Sequence, residues 1–146
     1  MAQATMEKQE PSDVEASINE LVATAQAAFN EYQHYSQEQV DSICEAMVQA
    51  AAAHAKELGE LAYRETGRGK SEDKSIKNIF AAQYIWKSIK DDKTVGVIAD
   101  DPVKRVTEVA EPLGVIAGVT PVTNPTSTVI FKILLALKTR NAIIFS

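Results

Sequence analysis

The stretch that most limits what this chain can become is Glu111 to Ser146, EPLGVIAGVTPVTNPTSTVIFKILLALKTRNAIIFS. Val115 to Thr120 is apolar and β-branched with one glycine, which predicts a strand buried on both faces. A polar turn follows. In Thr123-Asn124-Pro125 the asparagine suits a helix N-cap, and the proline suits the first helical position, where no N–H is needed. Val129, Ile130, Ile133, Leu134 and Leu137 then recur at three- and four-residue spacing, the period of a helix that buries one face. Lys138 and Arg140 fall near its C-terminal end, where cations complement the helix dipole. From Ala142 to Phe145 the chain is apolar again. The unit is strand-helix-strand, so its strands should be parallel and its crossover right-handed.

Ligands of open parallel sheets gather at the carboxyl ends of the strands, which puts the expected site at Thr120-Pro121-Val122-Thr123-Asn124. The glycine fingerprint of dinucleotide sites, G-x-G-x-x-G, is absent from this turn. Spacing alone therefore yields a polar loop at a helix N-terminus, able to hold an anion or a developing negative charge.

Upstream, Met1 to Pro11 reads as a disordered leader. Ser12 and Glu15 have capping-box spacing, and Val14, Ile18, Leu21, Val22, Ala25 and Phe29 share one face of a helix from about Ser12 to Tyr32. Packing on its own domain is the favoured use of that face, with docking on a partner as the alternative. A second capping box, Ser36 and Gln39, opens a helix burying Val40, Ile43, Cys44, Met47, Val48 and Ala51. A thiol on such a stripe is expected to be an inert core group. His34 and His54 stand without ligand-spaced partners, so no metal site is expected. The helix should run on through Leu58 to Glu65 and stop at Gly67.

Arg64, Arg68, Lys70, Lys74 and Lys77 form a basic cluster. A solvated face offset by Glu65, Glu72 and Asp73 is favoured over a partner or phosphate site. Ser71 or Asp73 should cap a helix carrying Ile76, Ile79, Phe80, Tyr84, Ile85, Trp86 and Ile89, a stripe read as core. Thr94 to Ile98 and Arg105 to Ala110, joined by a turn at Asp100-Asp101-Pro102, read as a hairpin that is not stable alone.

A formal net charge of -5 offers nucleic acid no sequence-independent attraction. No apolar run approaches the ~20 residues of a membrane span, and the first residues lack a secretory core. A soluble cytoplasmic protein with no membrane or nucleic-acid partner is expected, and the single cysteine suits a reducing compartment.

At Glu111 to Ser146, and again in ETGRGKSEDKSIKNIFAAQYIWKSIKDDKTVGVI, the sequence closely resembles the coenzyme A-acylating aldehyde dehydrogenases, above all the aldehyde dehydrogenase half of bifunctional aldehyde-alcohol dehydrogenases. The fold this implies is α/β: N-terminal helices, then the first strands of a Rossmann-like nucleotide-binding domain, incomplete here, with a hairpin of the oligomerisation sheet. Residues 1–11 would be leader, 12–93 and 112–146 the partial NAD-binding domain, and 94–111 the oligomerisation hairpin. The implied chemistry interconverts acetaldehyde, or another short aldehyde, and acetyl-CoA through a cysteine thioester. NAD is the hydride carrier and coenzyme A the co-substrate, in fermentative alcohol formation. Iron is implied only for an alcohol dehydrogenase domain downstream. The nucleophilic cysteine belongs to a later segment, so the fragment alone should be inactive.

By the same resemblance, Val119, Thr120, Pro121, Val122, Thr123, Asn124 and Ser146 line the NAD site, and the loop supplies an oxyanion donor. The wider family has Thr-Pro-Trp-Asn-Phe-Pro where this chain has Thr-Pro-Val-Thr-Asn-Pro. An ungapped alignment sets Thr123 at the donor position and Asn124 one place on. Asn124 is favoured as donor, because an amide N–H is fixed while a hydroxyl rotates, with helix capping as its competing use. Ser146 stands where the non-acylating enzymes carry a lysine. The resemblance also implies a homo-oligomer or filament. Two other classes remain open, an assembly module without catalysis and a free-standing nucleotide binder. The chain is read as an N-terminal fragment or part of a longer protein, because Ile143 to Phe145 need neighbours to bury them.

Overall fold

The structure is a computed structural model that describes residues 11–146, with Pro11 and Ser12 described by backbone alone. The expected leader, apart from Pro11, lies outside the described residues, as does the side chain on which the Ser12 capping box rests. In chain order the elements are α1 (Pro11–Tyr32), α2 (Gln37–Ala53), α3 (Ala55–Thr66), α4 (Ser71–Ile79), a π-helical turn (Phe80–Tyr84), α5 (Ile85–Ile89), β1 (Gly96–Asp101), β2 (Val106–Ala110), β3 (Val115–Gly118), α6 (Pro125–Lys138) and β4 (Ala142–Phe145). As expected, α6 connects two parallel strands, paired from Val115 opposite Ala142 to Gly118 opposite Phe145. Among the described residues no helix is long and apolar enough to cross a membrane.

The core is a meeting of three helical faces. Val40, Cys44 and Val48 of α2 pack with Ala81 and Ala82 of the π-helical turn and with Ile130 and Leu134 of α6. The Ser36 capping box closes both ways, the Gln39 side chain accepting the Ser36 N–H at 2.9 Å. Along α1, Ala25 and Ala28 lie beside Ile144 and Phe145, so its C-terminal half covers the two-stranded sheet. Val14, Ile18, Leu21 and Val22 nonetheless stay exposed, so the expected packing holds for only part of the helix. Burial, above all, lifts the Tyr32 phenol well beyond its ordinary range, and its hydroxyl donates to Leu137 O at 2.9 Å.

Four expectations are corrected. The long second helix breaks at His54, which leaves helical geometry (φ -99, ψ 8) and ends α2 through its backbone N–H. No breaker residue marks the place, and the bend lets α3 lie against α4. Gly67 does stop α3 in the left-handed conformation (φ 62), as predicted. The cap of α4 is Lys70, without a side-chain bond, so Ser71 and Asp73 fall inside the first turn. There Asp73 still favours the positive end of the dipole.

The aromatic stripe is the third correction. Ile76, Phe80 and Tyr84 are 67%, 57% and 63% exposed, with the two rings stacked at 5.7 Å. The wider π-helical turn at Phe80–Tyr84 rotates the helix surface, so that Ile85, Trp86 and Ile89 reach the core while Ile76, Phe80 and Tyr84 do not. The face that α4 buries carries Lys74 and Asn78 instead. Asn78 is fully buried and satisfied, donating to Ala55 O at 3.0 Å and accepting from Thr126 Oγ1 at 2.8 Å.

Fourth, the hairpin turns at Pro102–Arg105 rather than at Asp100–Pro102, because a bulge between Val97 and Ala99 lengthens the first strand. Asp101 takes the backbone N–H groups of Lys104 and Val103 at 3.0 Å, and these bonds hold its carboxyl below the usual range. Val97, Val106 and Val109 are exposed. At its base the hairpin is tied by Arg140, whose Nη2 donates to Ala110 O at 2.9 Å and whose Nη1 donates to Gln33 O at 2.6 Å.

The α3–α4 contact is close enough to test. A Cβ on Gly59 would lie 2.4 Å from Ser75 Oγ and 2.8 Å from the Ser75 backbone nitrogen. The hydroxyl can rotate; the backbone cannot. Alanine in place of a helical glycine gains up to about 1 kcal/mol, whereas forcing packed helices apart costs about 1–3 kcal/mol. Gly59→Ala is therefore expected to lower the urea midpoint, and an unchanged or raised midpoint would refute this contact.

Candidate active site

The loop between Gly118 and Pro125 is braced by three ammonium groups. Lys132 Nζ donates to Val119 O at 2.6 Å, Lys74 Nζ to Thr123 O at 2.8 Å, and Lys77 Nζ to Asn124 Oδ1 at 2.9 Å. Lys74 is only 5% exposed. The solvated-face reading of the basic cluster is thus corrected for Lys74, while Lys77 stays exposed. Their stems run along α4 and their heads find acceptors on the start of α6.

Asn124 is the N-cap residue by position, but its side chain makes no cap bond. Its backbone carbonyl accepts the Thr128 N–H at 3.2 Å, while its side-chain oxygen is held by Lys77. The capping use of the side chain is therefore corrected: Oδ1 accepts from Lys77 and from no N–H of the first turn. What remains is Nδ2, with one long contact of 3.3 Å to Thr123 Oγ1.

Asn124 lines a cleft of about 350 Å³ with Ser127 and Phe131 on the α6 side and Lys77, Phe80 and Ile85 opposite. Of the residues expected to form the site, Val119, Thr120, Pro121, Val122, Thr123 and Ser146 are not among those that line this cleft. Ser146 N–H donates to Gly118 O at 3.1 Å, which sets the ends of β3 and β4 side by side. Val119 and Val122 are exposed, at 70% and 59%. Thr120 Oγ1 is buried without a hydrogen-bond partner. A helix N-terminus, three lysines and a free amide donor favour negative charge at this corner.

Cys44, by contrast, is 0% exposed, and burial pushes its thiol up to about 11 against a smaller opposing pull from Lys138. Such a group is a poor nucleophile. Among the described residues no group of three histidine, cysteine or carboxylate side chains could hold a metal ion. Lys74 and Lys77 brace the loop in a way that reading the chain missed. For Lys74 the available signal is the recurrence of Lys74, Asn78, Ala81, Ala82 and Ile85, a buried face with polar members.

A sequence model of the aldehyde dehydrogenase family matches residues 3–146. Aldehyde-alcohol dehydrogenase 2 of Entamoeba histolytica is 50% identical over 143 residues, covering 97% of the chain and 16% of that relative. The bifunctional aldehyde-alcohol dehydrogenase of Escherichia coli K12 is 50% identical over 131 residues, covering 90% and 15%. An acetylating aldehyde dehydrogenase from Geobacillus thermoglucosidasius superposes with a TM-score of 0.89 at 45% identity, over 94% of this chain and 31% of that one. The chain thus spans 16% and 15% of the length of these two curated relatives and 31% of the solved chain.

Proposed function

Because this chain belongs to the aldehyde dehydrogenase family, we propose that it contributes the oxyanion-binding corner and part of the nicotinamide site of an NAD-dependent, coenzyme A-acylating aldehyde dehydrogenase. The observation that carries this is Asn124, which lines a cleft between the α4 side and the start of α6 and whose side chain makes no cap bond. The overall reaction converts an aldehyde, coenzyme A thiol and NAD to an acyl-CoA, NADH and a proton. A cysteine thiolate outside these residues adds to the carbonyl carbon, the C=O π pair moves to oxygen, and a tetrahedral oxyanion forms. One fixed donor at that oxygen is worth roughly 3 kcal/mol. Nδ2 of Asn124 is placed to be that donor, with the Thr123 hydroxyl as the rotating competitor.

NAD, when bound, supplies the hydride acceptor. The corner suits its ribose and phosphate chemistry: Thr120 Oγ1 is a buried polar atom still lacking a partner, and the cations around the loop favour an anionic ligand. Val119 to Asn124 would line the nicotinamide-ribose side and Ser146 the adenosine-ribose side. The hairpin has a separate use. Its exposed Val97, Val106 and Val109 suit pairing with another subunit, which would make it the oligomerisation element and leave 12–93 and 112–146 as nucleotide domain. Fermentative reduction of acetyl-CoA in the cytoplasm is the physiological direction we favour, in line with the similarity to bifunctional aldehyde-alcohol dehydrogenases.

The test uses the full-length protein carrying this segment. Acetaldehyde, coenzyme A and NAD should yield acetyl-CoA and NADH in equal amounts, and Cys44→Ala should leave that rate unchanged. NADH formation independent of coenzyme A, with acetate as product, would overturn the acylating assignment. Loss of all activity in a folded Cys44→Ala protein would overturn the placement of the nucleophile elsewhere.

A further inference from the structure

The oxyanion role proposed for Asn124 requires its amide to be turned with nitrogen, not oxygen, toward the reacting carbonyl. The two ends of an amide are nearly the same shape, so a neighbour must select one. Lys77 is that neighbour. Its Nζ lies 2.9 Å from Asn124 Oδ1, and an ammonium has three donors and no acceptor. A flipped amide would set N–H against N–H. The contact of Nδ2 with Thr123 Oγ1, at 3.3 Å, is too long to make the choice, and a hydroxyl can accept or donate.

Lys77 is itself well placed for the task, since the residues around it on α4 tie that helix to the start of α6. Lys74 donates to Thr123 O at 2.8 Å, and Asn78 bridges Ala55 O and Thr126 Oγ1. The ammonium therefore comes from a helix anchored on both sides of it. A positive charge on the amide oxygen also withdraws electrons from the N–H groups and strengthens them as donors.

We propose that Lys77 is a positioning residue for the reaction, acting through Asn124: it fixes the amide with Nδ2 as the available donor. This rests on the oxyanion reading of Asn124. Because the Lys77–Asn124 bond is exposed, its share of folding stability is small, and its effect should appear in turnover.

The experiment is a double-mutant cycle in the full-length enzyme, with each variant checked for an unchanged melting temperature. Lys77→Met keeps the aliphatic stem in the cleft wall and removes the donor; Lys77→Arg keeps a donor. Lys77→Met is expected to lower kcat about tenfold with KM for the aldehyde within about twofold, as loss of orientation without loss of binding does. Lys77→Arg should recover most of the loss. In an Asn124→Ala background Lys77→Met should have little further effect, because coupled residues are not additive. An unchanged kcat in Lys77→Met, or an equal loss with and without Asn124, would overturn the proposal. Turnover intact in Asn124→Ala would remove the oxyanion reading and this inference with it. A large loss in Asn124→Ala beside an unaffected Lys77→Met would overturn the role of Lys77 alone.

Discussion

Asn124→Ala in the full-length enzyme is expected to lower turnover about a hundredfold or more, the usual consequence of deleting one oxyanion donor. Its melting temperature should move by little. The side chain makes no bond to the first turn of α6, and its one firm partner is the exposed Lys77. These two readouts separate the roles an asparagine can have here. A cap contributes about 1 kcal/mol to stability and nothing to the chemical step; an oxyanion donor does the reverse. Loss of thermal stability with turnover intact would return Asn124 to capping. Asn124→Asp should be as damaging as the alanine: it keeps the acceptor for Lys77 but replaces the donor with a negative charge facing the developing oxyanion. If Thr123→Val carries the loss and Asn124→Ala does not, the donor is the threonine hydroxyl.

Asp41→Ala should destabilise the fold by about 3 kcal/mol, because it strands a buried ammonium without its counter-charge. Lys138 is 2% exposed, and its Nζ lies 2.6 Å from Asp41 Oδ1 and 3.0 Å from Lys90 O, with the Trp86 ring centre 5.4 Å away. The pair is asymmetric, since the Asp41 side chain keeps 34% of its surface in water. Lys138→Met leaves a carboxylate that can rehydrate and a side chain of similar reach packed beside Trp86. It should therefore cost clearly less than Asp41→Ala. Urea unfolding of the two variants decides the matter, and equal losses would show that burial of the ammonium is not what makes the pair costly to break.

The parts of the molecule legible from the chain are those decided locally. Asn124-Pro125 suits an N-cap and first helical position, which marks the start of α6, and the short β-branched apolar runs on either side read as strands. Ser36 with Gln39, and Gly67 in its left-handed conformation, are likewise set by neighbouring residues. What escaped was decided at a distance. Lys74 reads as a surface residue although it is buried, and the acceptors of Lys74 and Lys77 lie 49 and 47 positions further along the chain. Lys138 looked like a dipole-complementing terminus because Asp41 is 97 positions away. The π-helical turn at Phe80–Tyr84 changed which face is buried without any glycine or proline to announce it. As a result Phe80 and Tyr84 belong to the outside and Asn78 to the inside. At the candidate site the loop is legible from Pro125 and the strand before it, but its bracing is not, since two of the three cations that hold it come from α4.

Arg140 joins parts of the chain that otherwise have little to do with one another. Through Ala110 and Gln33 it rivets the base of the hairpin and the tail of α1 to the residue two places ahead of β4. A force applied at the hairpin tip would be delivered to the strand whose far end carries Ser146. Contacts made at that ribbon would thus be felt at the end of β4 beside the candidate site, and a ligand bound there would act back on the ribbon by the same free energy.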